Sequence, residues 1–348
     1  MTKNDNMEKT YFLPAEWHPQ SYIQLTWPHE GTDWAYMMDE VEACFLSLAR
    51  EIASRQPLLL VAPKFPAALE GFPWAGRIRF VQCPTNDTWA RDHGFITLID
   101  RHADPLLLDF CFNGWGMKFA ADKDNLINSH LAKAGALNGD YTNCRDFVLE
   151  GGSIESDGEG TLLTTSTCLL APNRNDTMSR TDIERYLVER FNLRQVLWLD
   201  YGYLAGDDTD SHVDTLARLC PGHTIAYVRC TDKSDEHYGA LQSMESQLRT
   251  FRTLDGDPYR LLPLPMPEAV YDDDGQRLPA TYANFLVMNE AVLCPTYAQP
   301  ENDALAARAL AEAFPGREIV GVDCRALIRQ HGSLHCVTMQ YPESAKSL

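Results

Sequence analysis

The stretch DFVLEGGSIESDGEGTLLTTSTCLLAPNRNDTMSRTDIERYLVERFNLRQVLWLD (146–200) decides the fold class. It holds three β-like apolar runs, DFVLEGG (146–152), TLLTTSTCLL (161–170) and QVLWLD (195–200). Asp157-Gly158 separates the first two and predicts a hairpin turn. SRTDIERYLVER (179–190) separates the second from the third, with apolar residues at helical spacing and Ser179 or Thr181 placed to cap it. A strand, a turn, a strand, a helix and a strand therefore follow one another.

The same alternation extends in both directions. Helices are predicted at 33–55, 122–136, 235–254 and 301–314; in the first, Trp34, Met37, Val41, Cys44, Phe45, Leu48 and Ile52 recur with helical period. Strands are predicted at 57–63, 77–83, 95–100, 105–112, 223–230, 284–295 and 317–323. The chain is thus of the α/β class. Five helices, spaced by roughly 55 to 90 residues with two or three strands in each interval, suit five comparable units; an irregular doubly wound sheet would give a similar series. No linker-like tract divides the chain, and the Pro-rich segment 261–279 is expected to be a long surface loop or flap. One continuous domain over 1–348 is expected, with a flexible N-terminus at 1–13.

Composition narrows the function. The 348 residues carry a formal net charge of −19, with no Lys/Arg-rich run, which argues against nucleic-acid and membrane-surface binding and favours a cationic partner. The 45% apolar and 23% charged content is that of a folded globule. MTKNDNMEKTYFLP lacks a secretion pattern, and no apolar run approaches the roughly 18 residues that cross a bilayer, so a cytoplasmic setting is expected. The ten cysteines, scattered from Cys44 to Cys336 without a C-x-x-C pair, should be reduced and mostly buried, with at most one or two reactive. A homodimer is compatible with this reading.

P-loop, nucleophile-elbow and H-E-x-x-H signatures are absent, and GWG (114–116) is too short for a dinucleotide fingerprint. Four polar clusters remain. TNDTWARDHG (85–94) crowds Asp87, Trp89, Arg91 and Asp92 behind an apolar strand, where the ordinary reading is a solvated loop with an Arg91 ion pair. LEGGSIESDG (149–158) places Glu150 before two glycines that free the backbone to turn; strands also end this way without function. In GDDTDSHVDTLARL (206–219), His212 and Asp214 face one side of an extended segment, and Asp207, Asp208 and Asp210 are expected to raise the histidine pKa; an H-x-D metal site is the alternative. HGSLHCVTMQYP (331–342) sets Cys336 before a strand-like run, where a lone buried cysteine is more often inert.

Jointly the clusters offer carboxylates, a histidine and a cysteine at strand ends that converge if the units pack radially. Carboxylates pair bidentately with a planar guanidinium, a thiolate attacks its electrophilic carbon, and a histidine protonates the leaving amine and then activates water. That combination is deimination.

TNDTWARDHG, LEGGSIESDGEGTLLTTSTCLL (149–170), DDTDSHVDTLARL (207–219), YANF (282–285) and GSLHCVT (332–338) resemble, in this order, segments of the agmatine deiminase and bacterial (Porphyromonas-type) peptidylarginine deiminase family. The resemblance runs from about Pro14 to Pro342. It implies a five-bladed pseudo-symmetric α/β propeller of ββαβ modules, which agrees with the five predicted helices. It casts Cys336 as the nucleophile forming an amidino-cysteine, His212 as general acid/base, Asp92 and Asp214 as the guanidinium grip and Glu150 as completing the acidic site. Trp89, Asp87 and Asn284 are implied as substrate-binding residues. No metal and no organic cofactor are implied.

The surroundings depart from the family's pattern. Many agmatine deiminases carry Gly-Gly-Gly-Asn-Ile-His-Cys where this chain has Gln330-His331-Gly332-Ser333-Leu334-His335-Cys336, and Gly-Pro where it has His93-Gly94-Phe95. Agmatine, another small guanidine and peptidyl arginine thus stay open as substrates. The intracellular reading selects agmatine, converted with water to N-carbamoylputrescine and ammonia. The rivals are a metal-dependent hydrolase using Asp92, His212, Asp214 and Cys336 as ligands, and a non-catalytic guanidine-binding protein.

Overall fold

The computed structural model describes residues 10–347. Its five longer helices are α1 (Met38–Arg55), α2 (Ile127–Lys133), α3 (Arg180–Phe191), α4 (Tyr238–Leu248) and α5 (Pro300–Ala313). Around α3 the quoted segment folds as its sequence predicts. Ile154–Ser156 pairs antiparallel with Thr161–Thr165 across the Asp157-Gly158 turn, and Gln195–Leu199 returns parallel to Thr161–Thr165, with Leu197 opposite Leu163. Ser179 caps α3 in a reciprocal box with Asp182, and Ile183, Leu187 and Phe191 bury the stripe that faces the sheet. Each such apolar side chain contributes about 1.5–3 kcal/mol through burial.

That unit recurs. Among the described residues, five sheets contain the same core: an antiparallel pair, then a strand parallel to its second member across a helix. The strands are Ile96–Asp100, Pro105–Cys111 and Asp140–Val148 around α2; Ala217–Cys220, Thr224–Arg229 and Arg260–Pro265 around α4; and Leu286–Val287, Ala291–Thr296 and Glu318–Asp323 around α5. The sheet around α1 takes Thr338–Pro342 from the far end of the chain, pairs it with Gln20–Thr26, and adds Leu58–Ala62 and Ile78–Gln82. The mixed α/β class is as expected.

Several boundaries differ from expectation. Gln20–Thr26 is a fully buried strand with no counterpart in the predicted series. The helix predicted at 235–254 stops at Leu248, where Thr250 donates to the Gln247 carbonyl and the chain turns. The predicted loop 261–279 begins as the parallel strand Arg260–Pro265. Pro263 and Pro265 fit there because this strand is the sheet edge, where an outward-facing amide needs no partner. A small hairpin, Val270–Tyr271 with Arg277–Leu278, completes that segment. Within the stretch 1–13 expected to be flexible, Tyr11–Phe12 pairs with Ile99 and Asp100, while residues 1–9 lie outside the described residues.

All ten cysteines are unpaired, and every one but Cys111 is buried. No helix among the described residues is long and apolar enough to cross a membrane.

Candidate active site

The polar clusters occupy equivalent places: each lies in the turn that enters the first strand of a unit. These are the helical turn Ala90–His93 before Ile96, the turn Gly151–Ser153 before Ile154, Val213–Thr215 before Ala217, Asn284 before Leu286, and Cys336 before Thr338. The turn 90–93 packs on 151–153, which packs on 213–215. Residues scattered over nearly 250 positions of sequence, from Asp87 to Cys336, thereby come together.

Asp87, Trp89, Asp92 and Cys336 share one pocket of about 380 Å³ including its opening. Cys336 is 4% exposed, and Asn284 holds its segment: the Asn284 Oδ1 accepts from the His335 amide at 2.9 Å, the Cys336 amide at 3.3 Å and the Cys336 thiol at 3.4 Å. Asn284, like Asp214 and His212, is not among the residues that line this pocket. Arg91 is buried, not solvated as the ordinary reading had it; its amide donates to the Cys336 carbonyl at 3.1 Å and its Nε to the His335 carbonyl at 3.4 Å. Trp89 donates from Nε1 to Asp87 at 3.0 Å. Gly332 lets the Trp89 ring lie flush against the chain, since a Cβ there would fall 2.1 Å from the ring. Burial raises the Asp87 carboxyl to about 7.

Behind this wall lie His212, Asp214 and Glu150, all fully buried. His212 and Asp214 meet Asp92 at Gly152, where a Cβ would stand 2.5 Å from His212 Nδ1, 2.9 Å from Asp92 Oδ1 and 3.2 Å from Asp214 Oδ2. Asp92 accepts from the Gly152 amide at 3.1 Å and from Trp115 Nε1 at 3.0 Å. Asp214 Oδ1 and both His212 ring nitrogens have no hydrogen-bond partner among the described residues. Glu150 instead accepts from Arg174 Nε at 3.0 and 3.1 Å, so it faces a resident guanidinium.

Burial dominates the electrostatics. It lifts the Asp92 carboxyl well above the usual range, helped by Asp214 and Glu150, and lifts the Cys336 thiol, helped by Asp214 and Asp92. It also lowers His212 to about 3, overcoming Asp214. The expected upward shift of His212 is therefore reversed, because losing water costs the imidazolium more than the acidic neighbours return. Asp214 sits below the ordinary carboxylate range: burial opposes ionisation, but the His335 hydrogen bond and charge prevail.

Sequence reading missed five supporting groups: His335, Glu16, Arg218, Glu155 and Trp115. His335 donates or accepts at 2.7 Å to both Asp214 and Glu16, and Arg218 binds Glu16 at 2.6 Å and Glu155 beside it. Trp115, in the discounted GWG run, reaches Asp92 from a left-handed backbone with φ 54°. The described residues contain two groups with metal-like spacing, Glu150–Cys168–His212 and Glu16–Glu155–His335. In both, the carboxylates already accept from Arg174 or Arg218, and the rival's ligand quartet is neither of them.

Residues 12–342 match the sequence profile described as Porphyromonas-type peptidyl-arginine deiminase. A Legionella pneumophila protein named "Putative agmatine deiminase" is 34% identical, covering 97% of this chain and 96% of its own. A Porphyromonas gingivalis crystal structure described as a "Putative Arginine Deiminase" is 52% identical with a TM-score of 0.91, over 96% of this chain and 99% of that one. A C. jejuni agmatine deiminase variant with substrate bound is 40% identical with a TM-score of 0.89, over 98% of each chain. The chain therefore belongs to the family of Porphyromonas-type peptidyl-arginine deiminases.

Proposed function

We propose that this protein is a guanidine deiminase that converts agmatine and water to N-carbamoylputrescine and ammonia. The observation that carries the reading is that Cys336 and Asp92 face one pocket whose remaining wall includes Asp33, Asp87 and Asp208. Those mouth carboxylates favour a substrate with a second cation, such as agmatine's distal ammonium, and repel the α-carboxylate of free arginine. The likeness to the substrate-bound C. jejuni enzyme supports the same choice.

The guanidinium enters between Asp92 and the unpaired Oδ1 of Asp214, with Trp89 beside it. Its charge offsets the two carboxylates that hold the Cys336 thiol up, so thiolate forms as substrate binds. Neutral His212 takes the thiol proton, and sulfur attacks the guanidinium carbon. The proton passes to a terminal nitrogen, the C–N bond breaks, and ammonia leaves an amidino-cysteine. His212 then takes a proton from water, whose oxygen adds to the same carbon. The C–S bond breaks as the new hydroxyl gives its proton to the departing sulfur, His212 releases the proton taken from water to solvent, and the product is a urea. Glu150 supports the acidic site from beneath through Arg174, Asn284 holds the nucleophile, and Asp87 orients Trp89. None of these steps draws on a cofactor.

The five units close as blades of one pseudo-symmetric propeller domain over the described residues 10–347. Their equivalent entering turns and the pairing of Thr338–Pro342 with Gln20–Thr26 support closure. The ten unpaired cysteines suit a cytoplasmic setting.

The family profile favours a second reading, arginyl peptides as substrate. Ammonia release by purified protein on agmatine, free arginine and arginyl peptides separates the two; no turnover of agmatine overturns the first.

A further inference from the structure

A second cavity, about 640 Å³ including its mouth, shares no lining residue with the catalytic pocket. Arg91 lines it, 4% exposed. Its guanidinium donates from Nε to the His335 carbonyl and from Nη1 to the Met339 sulfur at 3.5 Å, while Nη2 has no partner among the described residues. Two further lining groups, the Thr97 hydroxyl and the Gln340 Oε1, also lack partners. Buried polar groups are rarely left unmatched, and a buried cation with spare donors calls for an acceptor carrying negative charge.

We propose that this cavity binds a small monocarboxylate with a short hydrocarbon tail, its carboxylate on Arg91 and Thr97. The acids in the wall feel the Arg91 charge but spend their hydrogen bonds elsewhere. Glu16 accepts from Arg218 and the Val287 amide, and Glu155 from Arg218 and the Leu219 amide. Those same acids repel a dianion such as phosphate more than a monoanion. Leu13, Pro14, Phe95, Ile96 and Met339 supply an apolar surface for the tail. Arg91 also donates its amide to the Cys336 carbonyl at 3.1 Å, so occupancy acts on the nucleophile's segment and changes kcat for the guanidine more than KM.

Calorimetry on the full chain tests this with sodium acetate, butyrate, phosphate and chloride at matched ionic strength. Acetate and butyrate should bind saturably, butyrate the tighter, with phosphate and chloride inert. Thr97→Val, which removes only the hydroxyl, should weaken binding about fivefold, as loss of one hydrogen bond implies, whereas Gln340→Leu removes an acceptor that a carboxylate cannot satisfy and should not weaken it. A response common to all four salts, no saturation, or an affinity unchanged in Thr97→Val overturns the proposal.

Discussion

The molecule holds two acidic cages for a guanidinium, and they are finished differently. Around Arg218 every nitrogen is engaged: Nε by Glu155, Nη1 by the Ala283 and Phe285 carbonyls at 3.1 and 2.6 Å, and Nη2 by Glu16, with the Phe285 ring 4.4 Å from the guanidinium carbon. Around Asp92 and Asp214 there is acceptor capacity left over, at Asp214 Oδ1, and a histidine with neither ring nitrogen hydrogen-bonded, its Nδ1 3.6 Å from Asp92. His335 joins them, bonding Asp214 on one side and Glu16 on the other. The same ion-pair chemistry thus serves permanence in one cage and turnover in the other. What differs is whether the chain supplies the cation itself.

Substitutions should separate the cages. Cys336→Ser should lower turnover at least about 10³-fold while leaving the thermal midpoint nearly unchanged, as loss of a nucleophile does. Full activity would remove the covalent route. Arg218→Met leaves Glu16 and Glu155 buried without their cation and should destabilise by about 3–5 kcal/mol in denaturant titration. A change no larger than that of a surface substitution would break the comparison. Asp92→Asn should cost about 10²-fold in kcat/KM, the scale of one lost electrostatic contact in a transition state, yet destabilise far less than Arg218→Met. Equal destabilisation by both would mean that Asp92 is structural.

The smallest effect is a pH limb. With Asp87 near 7, its carboxylate is ionised above that pH and neutral below, so attraction for the cationic substrate fades as pH falls. In the free enzyme kcat/KM should therefore decline below about pH 7. Asp87→Asn should abolish that limb; a limb that persists unchanged assigns it to another group.

Local pattern revealed the alternation of strands and helices, the Asp157-Gly158 hairpin and the Ser179 cap, because each is decided within a few residues. Gln20–Thr26 escaped because its partners are Ile23↔Leu58 and the distant Thr338–Pro342, and its Gln and Ser residues disguise a fully buried strand. In the site, Asp92 and Cys336 were legible as reactive types beside strands. Arg218 and His335 were not, since they meet Glu16 across 202 and 319 residues. His212 was misjudged for a related reason: its acidic neighbours are visible in sequence, while the burial that overrides them arises only from packing.

The central claim is that Cys336 carries the substrate's carbon during turnover. Rapid acid quench of the enzyme with agmatine, followed by peptide mass spectrometry, tests it directly. The account predicts an adduct on the Cys336 peptide equal in mass to agmatine less ammonia, absent in Cys336→Ser. Steady turnover with no adduct, or an adduct on another residue, would contradict it.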